Sequence, residues 1–157
     1  MASPRPEASA NTTTSSDKPA ERAVHTYHCL CTQLILATTT ALDVLPTRNS
    51  DKAHICALPE PSADPHNATL LNTVLDSKPT VLRLEDGFEK RFFEKCTRCD
   101  LIVGYHLDKS QYEGSEGVGG GCKDDVVYLL PGGLMSTKDI QAGKKMDQEI
   151  GRVSVKV

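Results

Sequence analysis

The sequence predicts a mainly β protein, a small domain of β-hairpins joined by long loops. Three observations lead to this prediction. Short runs rich in β-branched and aromatic residues recur between Pro, Gly and Asp residues, which is typical of strands bounded by turns. No long segment has the apolar period of an amphipathic helix. Four of the six cysteines form a C-x-C pair and a C-x-x-C pair, a spacing found where small β units are held together by a metal or by disulfides.

The composition sets the limits of the fold and of its partners. The chain of 157 residues suits one domain, and with 38% hydrophobic residues and no Trp it builds a thin core that favours a covalent or metal staple. The net charge is −3, with both signs interspersed. The sequence therefore shows neither the basic field typical of direct nucleic-acid binding nor a polybasic membrane-binding run.

The first 23 residues predict a disordered tail, because they are small, polar and rich in Ser, Thr and Pro. They lack the apolar stretch of a secretory signal, and the longest apolar runs of the chain are too short to span a bilayer. We therefore expect the cysteines to lie in a reducing compartment, where structural disulfides are rare. Residues 24–157 are predicted to form a single β-rich domain.

The first half of that domain predicts a β segment followed by a long connection. Residues 25–45 are rich in β-branched and aromatic side chains and end before Pro46, which indicates a long bent strand or a hairpin. Residues 47–79 contain Pro59, Pro61 and Pro65 and one short apolar patch, "LLNTVL". This composition predicts a long connection with one helical turn.

The second half predicts further strands. Two alternating runs flank Asp86-Gly87 in "TVLRLEDGFEKRFFEKC", which predicts a hairpin with a type I′ turn at that pair. The segment "LIVGYH" predicts the next strand, and residues 114–121 predict a glycine-rich loop. The segments "VVYLL", "PGG" and "RVSVKV" then predict a strand, a turn and a final strand, together a third hairpin.

The two cysteine pairs predict a structural zinc site. In a strand, Cys29 and Cys31 point to the same face, with Cβ atoms about 6.6 Å apart. Two thiolates on one zinc lie about 3.8 Å apart, so a strand-borne C-x-C can hold the ion without a turn. Cys96 and Cys99 stand at a tight turn, where backbone N–H groups can point at the sulfurs. Four thiolates close the coordination shell, which is typical of structural zinc, as in a zinc ribbon.

Other roles for the cysteines are weaker. A disulfide between Cys29 and Cys31 is disfavoured by their separation. Redox chemistry needs the first Cys of C-x-x-C at a helix N-terminus, whereas a β-rich segment follows Cys99. Cys56 and Cys122 are interpreted as small buried hydrophobic residues. We find no nucleophile–base–orienter set, so no residue is predicted to be catalytic.

Two blocks of sequence follow one another in an order found in a known family: "YHCLCTQLILATTTALDVLPTRNSDKAHI" and "LRLEDGFEKRFFEKCTRCDLIVGYH". In these blocks and their spacing, residues 24–157 resemble the STING ER exit protein family. The matching positions are Tyr27, Cys29, Leu30, Cys31, Leu45, Pro46, Arg48, Asp51, Gly87, Glu89, Lys95, Cys96, Cys99 and Tyr105. The chain differs from the family in lacking the acidic run and the charged C-terminal helix that follow the last strand in other members.

The resemblance implies an adaptor and not an enzyme. Family members are cytoplasmic proteins that associate peripherally with the ER and promote the export of an ER membrane client, STING, in coated vesicles. The implied partners are this client and the vesicle coat machinery. Some members are also linked to the nucleus and to spliceosomes, so a nuclear zinc-ribbon protein that docks in such particles is an alternative function. A thiol oxidoreductase is a third.

The sequence also suggests where partners bind. With no transmembrane segment and no basic amphipathic helix predicted, membrane association is expected to come through a protein contact, and bare liposomes are not expected to bind. The hairpin tip at residues 86–88 is the predicted contact. For Phe88 itself, a place in the core is favoured over a place on the surface.

Overall fold

The computed structural model describes residues 22–60, 62, 67–112, 114 and 119–143, and in these residues the protein is mainly β, as predicted. The ten strands are β1 His25–Cys29, β2 Leu34–Thr38, β3 His54–Ala57, β4 Ala68–Leu70, β5 Thr73–Leu75, β6 Thr80–Leu84, β7 Gly87–Cys96, β8 Ile102–Leu107, β9 Val126–Leu129 and β10 Leu134–Ser136. Two 3-10 turns, Leu42–Val44 and Lys109–Gln111, and one short helix, α1 Thr137–Gln141, complete this part of the chain.

The strands form two antiparallel sheets. The smaller sheet has the order β10-β1-β2-β4, and its β1–β2 hairpin confirms that residues 25–45 form a hairpin and not a single bent strand. The larger sheet has the order β3-β9-β8-β7-β5, with β6 paired to the other end of β7. Strand β7 is ten residues long. This length lets both β5 and β6 pair along the same edge of β7.

The connection from 47 to 79 is more ordered than predicted. It contains β3, β4 and β5, and the "LLNTVL" patch forms the end of β4 and all of β5, so the predicted helical turn is wrong. Asn72 lies between these two strands with a φ of 53° and donates its side-chain amide to the Leu34 carbonyl. Since Asn tolerates the left-handed conformation, the chain turns a corner there. Strand β4 joins the smaller sheet and β5 joins the larger one.

The second predicted hairpin is confirmed, but its turn lies one residue earlier. Leu84 pairs with Gly87, which makes Glu85 and Asp86 the two turn residues. Gly87 is the residue with a positive φ, at 149°, so the turn is not the type I′ turn predicted at Asp86-Gly87. The preference for Phe88 in the core is also wrong, because its side chain is 70% exposed.

The C-terminal strands divide between the two sheets. The predicted strands "LIVGYH" and "VVYLL" correspond to β8 and β9, and residues 131–133 form the predicted turn. The strand after this turn is β10, which pairs with β1 and not with β9. The predicted last strand, residues 152–157, and residues 1–21 of the predicted tail lie outside the described residues, as does part of the 114–121 loop.

Buried side chains form three clusters, two of which connect the sheets. One cluster joins Tyr27 and Leu36 of the smaller sheet to Val127 and Leu129 of the larger one. A second lies beneath the cysteine pairs and includes Ile35 and Val103, both fully buried. The third surrounds Tyr105, whose ring stacks on that of Tyr128 with centroids 5.2 Å apart. The first two clusters combine residues of both sheets, so the sheets share one interior there, whereas the third lies against the larger sheet alone.

Candidate metal centre

The four cysteines of the C-x-C and C-x-x-C pairs meet at one corner of the molecule. Their sulfur atoms all lie within 4.8 Å of one another. The Sγ of Cys29 is 3.4 Å from that of Cys99, and the Sγ of Cys31 is 3.6 Å from that of Cys96. All four are free thiols and not disulfides. The β1–β2 hairpin thus supplies two sulfurs and the β7–β8 connection supplies the other two.

The first cysteine pair is carried by a hairpin turn. Strand β1 ends at Cys29, and Cys31 lies in the turn that follows. The expectation that both cysteines lie on one strand is therefore wrong. The amide of Thr32 donates to the Cys29 carbonyl at 2.7 Å, and Thr32 has a φ of 72°. The turn curls the chain back over β1, which brings the second sulfur beside the first more directly than a strand would.

The second pair has the same construction. Strand β7 ends at Cys96, and residues 97–99 form a turn before β8. Asp100 adopts a φ of 60°, and its amide donates to the Cys96 carbonyl at 3.0 Å. Asp and Asn are among the residues that adopt this conformation at least cost. The C-x-x-C pair therefore lies at a tight turn between two strands, as predicted.

Backbone amides act on three of the sulfur atoms. The backbone groups of Cys31, Gln33 and Leu101 lower the pKa of Cys29, Cys31 and Cys99 respectively, against the effect of burial. Burial opposes ionisation of Cys31, but the Gln33 amide and the neighbouring thiols lower its pKa to about 7. Burial raises the pKa of Cys29 above its ordinary value. Amides aimed at sulfur favour thiolates, the form that binds a metal.

The arrangement fits a zinc ion. Four thiolates around one tetrahedral zinc lie about 3.8 Å apart, close to the two short sulfur separations found here. Cys29 and Cys96 are fully buried, while Cys31 is half-buried and Cys99 is exposed. The set offers four protein ligands and thus fills a tetrahedral shell, as structural zinc sites do. A bound ion would join a hairpin of the smaller sheet to a strand end of the larger one.

Cys56, Cys122 and His106 lie outside the four-cysteine cluster. Cys56 is buried in the core cluster around Tyr27, where burial raises the pKa of its thiol to about 11. Cys122 is half-buried, and burial likewise raises its pKa to about 11. His106 pairs with Glu94 instead of a sulfur. Within the described residues, the four clustered cysteines are the group with metal-site geometry.

A second polar cluster was not predicted as a site. Arg48, Asp51, Glu89, Arg91 and Tyr105 converge in the interior between the β2–β3 connection and the larger sheet. Arg48 donates to both carboxylate oxygens of Glu89 and to the Tyr105 hydroxyl, which in turn donates to Asp51. Arg91 pairs with both carboxylates. We name these five residues the ionic network.

The ionic network is electrically balanced, with two guanidinium groups and two carboxylates. The Arg91 guanidinium lies 4.0 Å from the centroid of the Tyr105 ring, and that of Arg48 lies 5.0 Å from the Tyr128 ring. Burial alone would raise the pKa of Glu89, but the two arginines lower it. Because each charged group in the network has a partner of opposite charge, we interpret the network as a structural element that stabilises the fold. Four of its members are positions that match the family pattern, which was the one signal available from sequence.

No helix in the described ranges is both long and apolar enough to cross a membrane. The STEEP1 domain family model matches residues 18–144. The match includes both cysteine pairs, the ten strands of the described residues and all five members of the ionic network. Because it covers more than half of the 157 residues, the chain belongs to the STEEP1 family, the STING ER exit protein family.

Proposed function

We propose that this chain is a non-enzymatic adaptor that promotes export of an ER membrane client towards the Golgi, associating peripherally with the ER through its partners. The observation that carries this proposal is the STEEP1 domain match over residues 18–144. The fold is consistent with it, since small β domains with long loops present rigid edges and faces to other proteins.

Zinc has a structural role in this proposal. Cys29, Cys31, Cys96 and Cys99 would hold one ion, whose chemistry is to cross-link four thiolates. The residues around the four cysteines position the sulfur atoms and favour their thiolate form. Thr32 and Asp100 set the turns, and the backbone amides stabilise the thiolates. The two hairpin ends are thereby held in one orientation, which fixes the relative position of the sheets that a partner would recognise.

The geometry gives less support to a thiol oxidoreductase. A reactive C-x-x-C cysteine is activated at the N-terminus of a helix. Here Cys96 closes strand β7 and is fully buried, and β8 follows the turn. No structural feature of the described residues favours docking in a spliceosomal particle over the trafficking role. The oxidoreductase and the spliceosomal role are therefore kept as alternatives to the trafficking role.

The test is to replace the endogenous protein with tagged versions and follow the client. We expect the wild-type chain to restore ER exit of STING and to co-purify with ER membrane and coat proteins. A Cys96→Ser/Cys99→Ser variant should do neither, because its domain is loosened. Normal ER exit in cells that lack the protein, with splicing proteins as the main co-purifying partners, would contradict the proposal.

A further inference from the structure

We propose that one face of the β6–β7 hairpin, together with the groove beside it, binds an extended protein segment whose side chains are apolar and acidic. The side chains of Val81, Arg83, Phe88 and Lys90 make up this surface, which we name the hairpin face. The inference deepens the proposed adaptor function, because it assigns a surface and a partner chemistry to it.

The strand register places these four side chains together. Arg83 pairs directly with Phe88, and Val81 pairs directly with Lys90. Residues directly opposite in an antiparallel pair point to the same side of the sheet. The side chains of Glu89 and Arg91 point to the other side, where they belong to the ionic network. One side of the hairpin is therefore packed, while the other carries two apolar and two basic residues.

The hairpin face is open to solvent. Phe88 is 70% exposed and Val81 is 55% exposed, and both basic residues are exposed as well. A single exposed apolar residue is ordinary in a protein surface, whereas a group of neighbouring ones marks an interaction site. In this case the group includes an aromatic residue, a type enriched at protein interfaces.

A groove continues the hairpin face. Its volume is about 530 Å³, and its lining includes Leu75, Pro79, Phe92 and Cys122. Phe92 lies two residues beyond Lys90 on β7, so its side chain points to the same side of the sheet as the hairpin face. Because Phe92 of the groove and the exposed Phe88 lie on the same side of β7, an extended segment can contact both.

The charges on this surface select an acidic partner. Asp76 and Asp108 also line the groove, but both carboxylates are engaged. Asp76 pairs with Lys95 at 2.8 Å, and Asp108 accepts hydrogen bonds from Ser110 and from the Gly121 amide.

The basic residues, in contrast, form no salt bridge within the described residues. No carboxylate of the described residues lies within salt-bridge distance of Arg83 or Lys90. Lys90 lies across β7–β8 from Asp108, whose amide donates to the Lys90 carbonyl at 3.2 Å. Hydrogen bonds from Ser110 and Gly121 and, as a smaller cause, the charge of Lys90 lower the pKa of the Asp108 carboxyl, so Lys90 acts on this carboxylate at longer range without a salt bridge. Two cations beside an apolar groove attract carboxylates that follow an apolar anchor.

The same charges favour a protein segment over an anionic membrane. Glu85 and Asp86 form the turn at the tip of the hairpin. A hairpin that approached a bilayer tip-first would bring these carboxylates to the anionic surface, where they are repelled. An extended segment that lies along the side of the hairpin avoids the tip and reaches both cations.

The test is a binding measurement with the purified full chain. The probe is a short fluorescein-labelled peptide that alternates Leu or Val with Asp or Glu. We expect it to bind, and we expect Arg83→Glu/Lys90→Glu to weaken binding about tenfold or more, because both cations become carboxylates. The matched control is Lys52→Glu/Lys138→Glu, which reverses two exposed charges outside the surface and should leave binding within about twofold.

A second pair of variants tests the apolar part. Phe88→Ser should weaken binding of the same peptide, while Val44→Ser should not, although Val44 is 69% exposed and thus closely matched. All variants change exposed residues, and an unchanged thermal melt shows that each is folded.

Several results would overturn the proposal. These are failure of the acidic peptide to bind, equal binding of a counterpart with Lys at each acidic position, equal loss in a control variant, or binding to phosphatidylserine vesicles in place of the peptide. The assay contains no ER membrane or coat protein. Suppose that the peptide does not bind but the wild-type chain restores client export in cells that lack the endogenous protein. This result would contradict the proposed binding surface and would still support the adaptor function.

Discussion

Arg48 and Glu89 form a two-point ion pair in the interior of the protein, with Nη1 of Arg48 3.1 Å from Oε1 of Glu89 and Nη2 2.7 Å from Oε2. Their side chains are only 19% and 8% exposed. The pair fastens the connection that follows the first hairpin to the middle of the larger sheet. Since each charge is largely withdrawn from water, each depends on the other for compensation.

Glu89→Gln should therefore destabilise the fold strongly. The substitution keeps the shape of the side chain but leaves the positive charges of Arg48 and Arg91 with Asp51 as their one carboxylate partner. We expect a loss of about 3–5 kcal/mol in the free energy of unfolding, measured by urea denaturation. Asp125→Asn is the control, because its ion pair with Lys123 is on the surface and should be worth less than about 1 kcal/mol. Equal effects of the two substitutions would contradict the interior role of the pair.

The buried pair of His106 and Glu94 should make stability depend on pH. The Nδ1 of His106 lies 3.1 Å from the Lys123 carbonyl, and its Nε2 lies 3.5 Å from the Glu94 carboxylate. Both ring nitrogens thus face acceptors, which favours the imidazolium. Burial opposes the charge, but Glu94 and the carbonyl outweigh burial and raise the pKa of His106.

A raised pKa in the folded state fixes the sign of the effect. The stabilisation is complete below the unfolded-state pKa of about 6.5 and is lost as the pH rises through the higher folded-state pKa. We expect the urea midpoint of the wild-type chain to fall as the pH is raised from about 6 to 9. His106→Gln should reduce this decline. NMR titration of the imidazole checks the pKa directly, and a value at or below about 6.5 would contradict the prediction.

Removal of zinc should unfold or loosen the protein. Metal–ligand binding contributes about 10–16 kcal/mol in small structural sites at neutral pH, which is comparable to the total stability of a small domain. Chelation should thus lower the thermal midpoint sharply, and substituting Ala at Cys29, Cys31, Cys96 or Cys99 should lower the zinc content towards zero. An unchanged melt of fully zinc-free protein would exclude a structural role.

The other cysteines serve as internal controls for the zinc site. Cys56→Ala and Cys122→Ala should each retain one zinc per chain when the metal content is measured by mass spectrometry, because neither thiol belongs to the cluster. Cys56→Ala should still cost some stability through the small cavity it leaves in the core. Loss of zinc in either variant would mean that the ligand set is wrong.

Gly104 should tolerate no side chain. A Cβ at this position would lie 2.7 Å from the Tyr128 carbonyl oxygen of the adjacent strand β9. We expect Gly104→Ala to cost about 1–3 kcal/mol by forcing β8 and β9 apart. Gly119→Ala is the matched control, because no atom of the described residues lies within 4 Å of its Cβ position, and it should change stability by less than about 0.5 kcal/mol. Thermal unfolding of the two variants measures this difference, and equal midpoints would contradict the prediction.

The amino-acid pattern alone was enough for the fold class, the β6–β7 hairpin and strands β8 and β9, whereas for residues 25–45 it left a bent strand and a hairpin as alternatives. Each of these features depends on a local sequence pattern, because alternation and turn residues act over a few neighbouring positions. The pairing of the two cysteine motifs could also be inferred, since C-x-C and C-x-x-C each offer half of a four-thiolate set. Their binding of zinc remains a proposal, as does the single domain over 24–157.

The ionic network and the short strands β4 and β5 became visible only in the folded chain. The network joins Arg48 to Glu89 and Tyr105, residues far apart in sequence, and each strand has three residues, too few for a local pattern. Alternation likewise showed which hairpin residues share a side of the sheet, but not that Phe88 lies on the uncovered side. Which side is buried depends on what packs against it, and that is set by contacts between distant segments, whose geometry no local run of residues encodes.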